Sequence, residues 1–512
     1  MPAVLTMLGL TVVNFGLTMA SGYIKNITQV KIDRNMQRSA LKKVLSLQVS
    51  EIEKGNPREF ISRITTDTTL VSSLLLELVI KEIPRLYYMV SAIFLLRDKY
   101  DPRLAVTLLA TIPILLIGAV IAGNLVFGKA DLVQQRTSVL TQKLAEKIVN
   151  LPIIKSYNNE AKESADGTRL LGELLTVSKQ KAWADKINGF ITNFVNFLPR
   201  LLTVSVGATL LLRGEITVVS FVAFFQYAQT FINYVSEHVT LWAAVKTAQG
   251  ATYRLAEIME CAEDSTTGTD EAPNGDIVFR NVSFSYGDKK VLDNVSFTVR
   301  AGERTALVGF SGCGKTTTLN LLEQFYQPDD GKITIGGRDI HAWNVKSYRK
   351  HFTYVSQNAP AVEGTIRDVL TYGLDANVTD EELYRAIEEA NAREMVEKLG
   401  GLEYSVGMSA DKLSGGQRQK LSIARALLSH TEYMLLDEAT SALDTASTMI
   451  AQRALNERMR GKTMLMVAHN LKTVEDADKI IVFDRGRILA EGKHSELLIN
   501  CPMYAALAAA QE

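Results

Sequence analysis

Long apolar runs dominate the first half of the chain and predict helices that cross a membrane. Five runs are each about long enough to span a bilayer as a helix: Val4–Ile24, Leu74–Leu96, Leu104–Val126, Gly189–Leu212 and Val218–Val245. A large soluble helical bundle is the alternative. However, the residues from 104 to 123 lack the polar stripe that a soluble surface helix carries. The pattern therefore predicts an all-α transmembrane bundle.

Two long polar segments of helical pattern lie between these runs, at Lys25–Ser73 and Lys129–Lys186. Both are rich in Lys and Arg, which favours the cytosolic side of a membrane by the positive-inside rule. We expect them to extend the spanning helices into the cytosol. The short connections Arg97–Arg103 and Arg213–Thr217 would then face outward.

The pattern changes near Glu260. Residues 261–275 are acidic and rich in Thr, Gly and Pro, as is typical of a linker. Beyond them the apolar runs shorten to strand length and alternate with helical patterns, which predicts an α/β fold with a largely parallel sheet. We expect a transmembrane domain over residues 1–260, a linker over 261–275 and an α/β domain over 276–512.

Composition narrows the possible functions. The 512 residues include 56 Lys+Arg and 56 Asp+Glu, a balance that argues against a basic nucleic-acid binder. The mean hydropathy of +0.05 fits an apolar half joined to a soluble half. Cys261, Cys313 and Cys501 show neither metal-binding nor disulfide spacing, which favours a reducing cytosol for the soluble part.

A complete phosphate loop opens the α/β half. The strand-like run TALVG leads into Gly309-Phe-Ser-Gly-Cys-Gly-Lys-Thr316, which has the G-x-x-x-x-G-K-T pattern. Its glycines allow successive backbone N–H groups to surround phosphates at the positive end of a helix. We expect Lys315 to reach the β- and γ-phosphates of ATP and the Thr316 hydroxyl to bind Mg²⁺.

A second apolar strand, Tyr433-Met-Leu-Leu-Asp437-Glu438, ends in two carboxylates. Asp437 at the tip of this strand can hold Mg²⁺ as a Walker B aspartate does. Glu438 is placed to polarise the attacking water as a general base. Two adjacent carboxylates after a strand are usually solvated side chains on the surface. Here the phosphate loop upstream favours the catalytic interpretation.

The run Leu413-Ser-Gly-Gly-Gln417, followed by RQKLSIARALL, resembles the signature of ATP-binding-cassette proteins. The resemblance covers Ile277–Gly492 motif by motif and Met36–Glu260 more loosely. Ser414 and the N–H groups of Gly415 and Gly416 begin a helix, which is another anion-binding end. The resemblance implies that this end binds the γ-phosphate held by a second subunit, so that two ATP molecules join a dimer.

Further residues match the family's nucleotide site. Tyr286 resembles the aromatic residue that stacks on adenine, although a core aromatic on a strand is the alternative. Gln357 resembles the switch glutamine, Asp444 belongs to a D-loop-like Ser441–Asp444, and His469 resembles the switch histidine. The predicted catalytic residues are Glu438, His469 and Gln357. The predicted metal ligands are Thr316, Gln357 and Asp437. The predicted nucleotide-binding residues are Tyr286, Gly309, Ser311, Gly312, Cys313, Gly314, Lys315, Thr316, Thr317, Ser414, Gly415, Gly416, Gln417 and Asp444.

The chain departs from the family pattern in three respects. Met408 and Ala410 replace the glutamate and glycine that exporters of the family usually carry before the signature, and Asn470 replaces the usual arginine after His469. Family halves also have six spanning helices, whereas five are predicted here, and the alignment implies that the first is absent. Residues 51–71 resemble the segment that follows the first cytosolic coupling helix of exporters, and residues 151–163 resemble the segment at the second.

These features predict one half of an ATP-driven exporter in a bacterial inner membrane, with its ATPase domain in the cytoplasm. The alternatives are a soluble ATPase clamp and an importer built on the exporter fold, and the partner subunit could be identical or different. No nucleic-acid partner is expected. The solute is polar or charged if the ionisable residues within the predicted spans line a pathway, but they could instead pair with one another. Those residues are Glu77, Lys81, Glu82, Arg85, Arg200 and Glu237.

Overall fold

The computed structural model describes residues 2–99, 101–374, 378–407, 410–468 and 470–510. The predicted site residue His469 and the departure at Met408 lie outside these described residues. The chain divides into two units, of which the first comprises Met1–Val44 and Pro57–Glu260 and the second Leu45–Asn56 and Cys261–Glu512.

The first unit consists of long helices. One continuous helical stretch, residues 57–99, contains two single π-helical turns. The π turns are Arg63–Asp67 and Leu78–Glu82. The helices of this half of the chain are α1 (Pro2–Ser46), α2 (Val49–Lys54), α3 (Pro57–Ser62), α4 (Thr68–Glu77), α5 (Ile83–Lys99), α6 (Pro102–Val149), α7 (Leu151–Ser156), α8 (Glu160–Leu212) and α9 (Val218–Glu260).

The five predicted spans all lie on these helices. Two described helical stretches, Leu5–Ser46 and Glu160–Leu212, are long and apolar enough to cross a membrane, and Pro102–Gly118 is a shorter apolar stretch. The predicted span Leu74–Leu96 is divided between α4, the second π turn and α5.

The core of the first unit lies where α5, α6 and α9 pack together. Leu96, Leu104, Leu108, Phe224 and Phe231 are fully buried there. By contrast, the apolar side chains of α1 from residue 5 to residue 24 are exposed. A soluble protein rarely exposes a continuous apolar surface of this kind, whereas a lipid bilayer covers it without cost.

The second unit is an α/β domain with two sheets. Its strands are β1 (Ile277–Tyr286), β2 (Lys289–Val299), β3 (Arg304–Gly309), β4 (Asp330–Ile335), β5 (Arg338–Asp339), β6 (Phe352–Val355), β7 (Tyr433–Asp437), β8 (Thr463–Val467), β9 (Lys479–Asp484) and β10 (Arg487–Gly492). An antiparallel sheet has the order β2-β1-β4-β5, and a six-stranded sheet has the order β10-β9-β3-β8-β7-β6. All neighbours in the larger sheet are parallel except β9 and β10.

Helices surround the larger sheet. They are α10 (Lys315–Leu322), α11 (Val345–Arg349), α12 (Ile366–Thr371), α13 (Asp380–Glu389), α14 (Arg393–Leu399), α15 (Gly415–Leu428), α16 (Thr445–Arg458), α17 (His494–Asn500) and α18 (Pro502–Ala509). Every residue of β7 and β8 is buried, as expected of parallel strands that are covered on both faces. The carboxyl ends of β3, β6, β7 and β8 therefore meet at one edge, where α/β sheets bind ligands.

The acidic segment after Glu260 packs on the second unit rather than standing free. The Asp264 carboxylate accepts a bond from Arg349 at 2.6 Å, and the Trp343 indole N–H donates to the Glu271 carbonyl at 2.8 Å. Asp264 N–H also donates to the Ser46 carbonyl at 2.9 Å. This pairing joins the short stretch that contains α2 to the same unit.

Candidate nucleotide site

The phosphate loop follows β3 with three glycines in left-handed backbone conformations. Gly309, Gly312 and Gly314 have φ angles of 148°, 78° and 108°. A Cβ atom at Gly309 would lie 2.3 Å from the Phe483 carbonyl oxygen, so only glycine fits against the neighbouring strand. The loop ends in α10, which places the N–H groups of a helix start around the position that a phosphate would take.

Lys315 is buried at the base of this loop. Its ammonium group donates to the carbonyls of Gly309 and Phe310 at 2.7 and 3.0 Å. The Cys313 sulfur lies 3.7 Å from the same nitrogen, and burial raises the pKa of the Cys313 thiol despite this cation. The thiol is therefore a packing group of the loop, while Lys315 holds the positive charge there.

Thr316 and Asp437 meet at the edge of the sheet although 121 positions separate them in sequence. The Thr316 hydroxyl donates to Asp437 Oδ1 at 3.0 Å. Burial raises the pKa of the Asp437 carboxyl, and the bond from Thr316 opposes that rise. A hydroxyl and a carboxylate are the hard oxygen donors that Mg²⁺ prefers, so this pair fits the predicted cation. Within the described residues, no cluster of three His, Cys, Asp or Glu side chains offers another metal site.

Gln357 and Glu438 form the second polar pair at this edge. Gln357 Nε2 donates to Glu438 Oε2 at 2.7 Å, which leaves the amide oxygen of Gln357 for a cation or a water. Glu438 has a φ of 47°, a strained conformation for a residue other than glycine, and its N–H is fixed by the Val467 carbonyl at 3.1 Å. The chain therefore holds the carboxylate of Glu438 directly after the buried strand β7.

Tyr286, at the end of β1, is a half-exposed aromatic side chain. Its ring contacts the Phe284 and Tyr326 rings edge to face, with centroids 4.9 and 5.0 Å away. These contacts leave part of the ring exposed, at 38% of the residue's surface. A flat base could therefore stack on it, as predicted from the resemblance.

The signature residues form the N-terminus of α15. The Ser414 hydroxyl accepts from Gln417 N–H at 3.3 Å, and the Gln417 side chain accepts from Ser414 N–H at 2.8 Å, which makes a reciprocal capping box. Gly415 and Gly416 have no side chain that would cover their backbone N–H groups. The Gln417 side-chain oxygen thus caps its own helix, and its contact with nucleotide stays a prediction.

Asp444 begins α16 in the same way. Its carboxylate accepts from the backbone N–H of Ser447 at 2.9 Å and from the Ser447 hydroxyl at 2.6 Å, and these bonds lower the pKa of the Asp444 carboxyl. Asn391 in turn donates to the Ser447 hydroxyl at 2.9 Å. Asp444 thus fixes the loop that contains Ser441.

The structure also describes two further residues of the phosphate loop and two of the departures from the family pattern. Ser311 is exposed and Thr317 is buried beneath the loop. Ala410, one of the departures from the family pattern, has a φ of 54°, a conformation that the usual glycine adopts without strain. Asn470, the other described departure, caps a short helical turn by accepting from Lys472 N–H at 3.0 Å.

Two residues near the site were not predicted from the sequence. Gln419, buried in α15, donates to the Glu438 carbonyl at 3.1 Å and accepts from Ala442 N–H at 2.8 Å, so it ties the signature helix to the loop after β7. The Tyr354 hydroxyl lies 3.5 Å from Asp437 Oδ2. Only its position on β6, three residues before Gln357, marks Tyr354 in the sequence, and this is too weak a signal to single it out.

Comparison with known proteins identifies both halves. Residues 292–441 match the family model described as ABC transporter, and residues 2–235 match the ABC transporter transmembrane region. A multidrug resistance ABC transporter ATP-binding and permease protein of Lactococcus lactis subsp. cremoris is 32% identical over 479 residues, which cover 92% of this chain and 80% of that protein. An ATP-dependent lipid A-core flippase of Pseudomonas aeruginosa is 33% identical over 473 residues, which cover 91% and 77%.

A solved structure supports the same fold. A bacterial Atm1-family ABC exporter with ATP bound aligns with a TM-score of 0.85 and 22% identity, over 96% of this chain and 87% of that chain. The predicted fold class, a transmembrane helical bundle followed by an α/β nucleotide-binding domain, is confirmed. The soluble clamp is excluded because the first half matches a transmembrane region.

Proposed function

The chain is a member of the ATP-binding-cassette transporter family, an ATP-hydrolysing membrane half-transporter with the exporter fold, and we propose that two such chains close around two ATP·Mg²⁺ to export a polar solute. The family's half-transporters function as dimers. The importer alternative is disfavoured because the similar proteins include a multidrug resistance transporter and a lipid A-core flippase. The observation that carries the catalytic proposal is the convergence of the Thr316–Asp437 and Gln357–Glu438 pairs at one sheet edge.

Each residue of this edge then has a defined task. The phosphate-loop N–H groups and Lys315 bind the β- and γ-phosphates, and Thr316, Asp437 and Gln357 hold Mg²⁺, which neutralises phosphate charge. Glu438 accepts the proton of the attacking water. His469, for which the resemblance is the only argument, contacts the γ-phosphate.

The dimer completes each site in trans. The capped start of α15 presents the Ser414 hydroxyl and the Gly415 and Gly416 N–H groups to the γ-phosphate of the partner's site. A cleft of about 950 Å³, which Glu438, Ser441 and Asn470 help to line, leaves space beside the D-loop for a second copy. We take the homodimer as the working assignment because the described motif residues are all intact.

Coupling to the membrane half uses the short cytosolic helices. In the second unit the Tyr326 hydroxyl bonds to Glu53 of α2, within the segment 51–71 that resembles the one after the first coupling helix of exporters. In the first unit α7 connects α6 and α8, and Lys147 bonds to the carboxylates of Glu163 and Asp166, which fixes this hairpin. We place the protein in the bacterial inner membrane with the ATPase unit in the cytoplasm.

Glu438→Gln tests the catalytic assignment. Loss of the general base should lower the ATPase rate of the reconstituted chain by about 10²–10⁴-fold while ATP binding persists. Measured ATP hydrolysis and nucleotide binding decide the matter, with Glu397→Gln on the exposed face of α14 as a matched carboxylate control. Hydrolysis near the wild-type rate would contradict the role of Glu438.

Mixed dimers test the trans arrangement. Lys315→Ala and Ser414→Arg should each inactivate a homodimer, because each breaks both composite sites. Co-reconstitution of equal amounts should restore roughly a quarter of the wild-type ATPase rate, since half of the dimers then combine one intact site with one doubly broken site. No recovery, or full activity of either variant alone, would contradict signature action in trans.

A further inference from the structure

The short helix α2 belongs to the second unit although it lies between two helices of the first in sequence. The segment Leu45–Asn56, which contains α2, groups with Cys261–Glu512. The chain enters α2 from α1 and leaves it into α3. A displacement of α2 therefore acts through the chain itself on two helices of the membrane unit.

A side-chain bond attaches α2 to the aromatic residues beside the predicted base site. The Tyr326 hydroxyl donates to Glu53 Oε2 on α2. The Tyr326 ring contacts the Tyr286 ring edge to face, with centroids 5.0 Å apart and an angle of 87° between the planes. Both rings also contact Phe284, at 5.4 and 4.9 Å. Tyr326 thus lies between the predicted base-stacking residue and α2.

Backbone bonds attach the start of the same segment to the region that follows the phosphate-loop helix. The Gln48 N–H donates to the Ala262 carbonyl at 3.1 Å. Two residues later the Asp264 carboxylate accepts from Arg349 at 2.6 Å, and the same guanidinium donates to the Gln324 carbonyl at 3.1 Å. Gln324 lies two residues after α10 and two residues before Tyr326. Both ends of α2 are therefore attached near the stretch that leaves the nucleotide site.

The two carboxylates of α2 have different partners. Glu51 pairs within the helix with Lys54, at 2.7 Å. Glu53 instead accepts from Tyr326, which is 273 positions away in sequence. The charge of Glu53 is thus used for an attachment outside its own helix, whereas Glu51 provides a carboxylate on the same helix for comparison.

We infer that Tyr326 is a positioning residue that couples a base stacked on Tyr286 to the attachment of α2 through Glu53. This inference rests on the proposed function, because it takes Tyr286 as the residue that stacks on adenine. A base on the exposed face of Tyr286 holds that ring against Tyr326, which in turn holds the Tyr326 hydroxyl toward Glu53. A triphosphate without a base leaves the Tyr286 face uncovered and does not strengthen this attachment.

Coupling of this kind is reciprocal. If a bound base favours the attached position of α2, the attached position favours the base by the same factor. Loss of the bond between Tyr326 and Glu53 should therefore weaken binding of a nucleotide but leave binding of a bare triphosphate unchanged. Couplings between two sites are typically about 5-fold or more, which sets the size of the expected effect.

Two ligands that share the triphosphate and differ in the base test this inference. They are the Mg²⁺ complexes of β,γ-imido-ATP, which is not hydrolysed, and of tripolyphosphate. Equilibrium binding of each to the full chain in nanodiscs is measured together with hydrogen exchange of the amides of residues 49–54. At saturation, imido-ATP should slow exchange of these amides about 5-fold or more relative to tripolyphosphate.

Variants of the two bonded residues should remove this difference. Tyr326→Phe keeps the ring against Tyr286 but lacks the hydroxyl, and Glu53→Ala lacks the acceptor. Each should weaken imido-ATP about 5-fold or more, leave tripolyphosphate unchanged and make α2 exchange equally with both ligands. Glu53→Gln should retain the wild-type pattern, because its amide oxygen still accepts from Tyr326. Glu51→Ala is the matched control and should change neither affinity.

Unchanged behaviour of both Tyr326→Phe and Glu53→Ala would overturn the inference. Equal weakening of both ligands would overturn it too, because it would indicate general damage to the site rather than coupling to the base.

Tyr286→Ala separates these results from failure of the proposed function. A preference for imido-ATP that Tyr286→Ala abolishes and Tyr326→Phe leaves intact overturns the coupling alone. Equal affinity of the wild type for both ligands, unchanged in Tyr286→Ala, overturns the assignment of Tyr286 in the proposed function and the inference with it.

Discussion

Both units bury carboxylates, and they neutralise them differently. In the membrane unit Asp67, on the first π turn, is 3% exposed, and Arg254 of α9 donates to its two oxygens at 2.8 and 2.5 Å. In the ATPase unit Glu323, directly after α10, is 4% exposed, and its Oε1 has no hydrogen-bond partner among the described residues. The Asp67 carboxylate is thus paired directly with a guanidinium, whereas Glu323 Oε1 is not.

The difference arises from what the nearby arginine is bonded to. Arg349 is close to Glu323, but its guanidinium donates to the backbone carbonyls of Glu323 and Gln324 and to Asp264. Burial therefore raises the pKa of the Glu323 carboxyl to about 7, and the charge of Arg349 opposes this only in part. A neighbouring cation neutralises a buried carboxylate only when its donors are directed at that carboxylate.

The charges at the second π turn are an intermediate case. The Arg85 guanidinium contacts carboxylates, as that of Arg254 does, but it is shared between Glu82 and Glu237. Asp67 is thus paired one to one, whereas Glu82 shares its cation with a second carboxylate.

Breaking the one-to-one pair should have the largest effect on stability. Arg254→Met leaves the buried Asp67 without its guanidinium and should lower the free energy of unfolding by roughly 3 kcal/mol, the low end for a broken buried pair because Arg254 is half exposed. Thermal unfolding of the purified full chain measures this loss.

The double variant Asp67→Asn/Arg254→Met provides the control. It removes the buried charge together with its partner and should recover much of the loss, because replacing both members of a pair is far less costly than removing one. Equal destabilisation of the single and double variants would mean that Arg254 acts through packing rather than through charge. Glu237→Gln should instead change the free energy of unfolding little, since Arg85 stays paired with Glu82.

How far the sequence predicts these features differs between the units. In the ATPase unit the motifs lie at strand ends, and parallel strands bring their carboxyl ends to one edge, so the pairing of Thr316 with Asp437 was foreseeable from a distance of 121 positions. The capping bonds of Gln417 were not predicted, although the spacing Ser414-x-x-Gln417 fits a capping box. Gln419 was missed because nothing in the sequence marks which face of α15 meets the loop after β7.

In the membrane unit the sequence identifies charges within apolar runs but not their partners. Glu77 and Lys81 are one turn apart, so their pair could be predicted from spacing alone. The contact of Arg85 with Glu237 depends on how α5 and α9 pack, and apolar runs do not specify that packing. For the same reason the sequence does not show that Arg200 is exposed and takes no part in the ion pairs of Lys81 and Arg85. The two π turns were also unforeseen, because no local residue pattern distinguishes them from α-helix.

Glu323→Gln should have the smaller effect, and one that depends on pH. The carboxyl of an unfolded chain titrates near its ordinary value of 4.5, whereas the folded pKa is about 7. The folded state therefore binds more protons between these values, so the stability contributed by this group falls as pH rises from about 4.5 to 7 and stays low above. A difference of this size corresponds to at most about 3 kcal/mol. Glutamine has the shape of the protonated side chain and never ionises. Glu323→Gln should thus raise the unfolding temperature at pH 8 and leave it nearly unchanged at pH 5, whereas Glu397→Gln at the surface should change neither. The same shift at both pH values would show that the gain comes from packing of the amide and that Glu323 is not the titrating group.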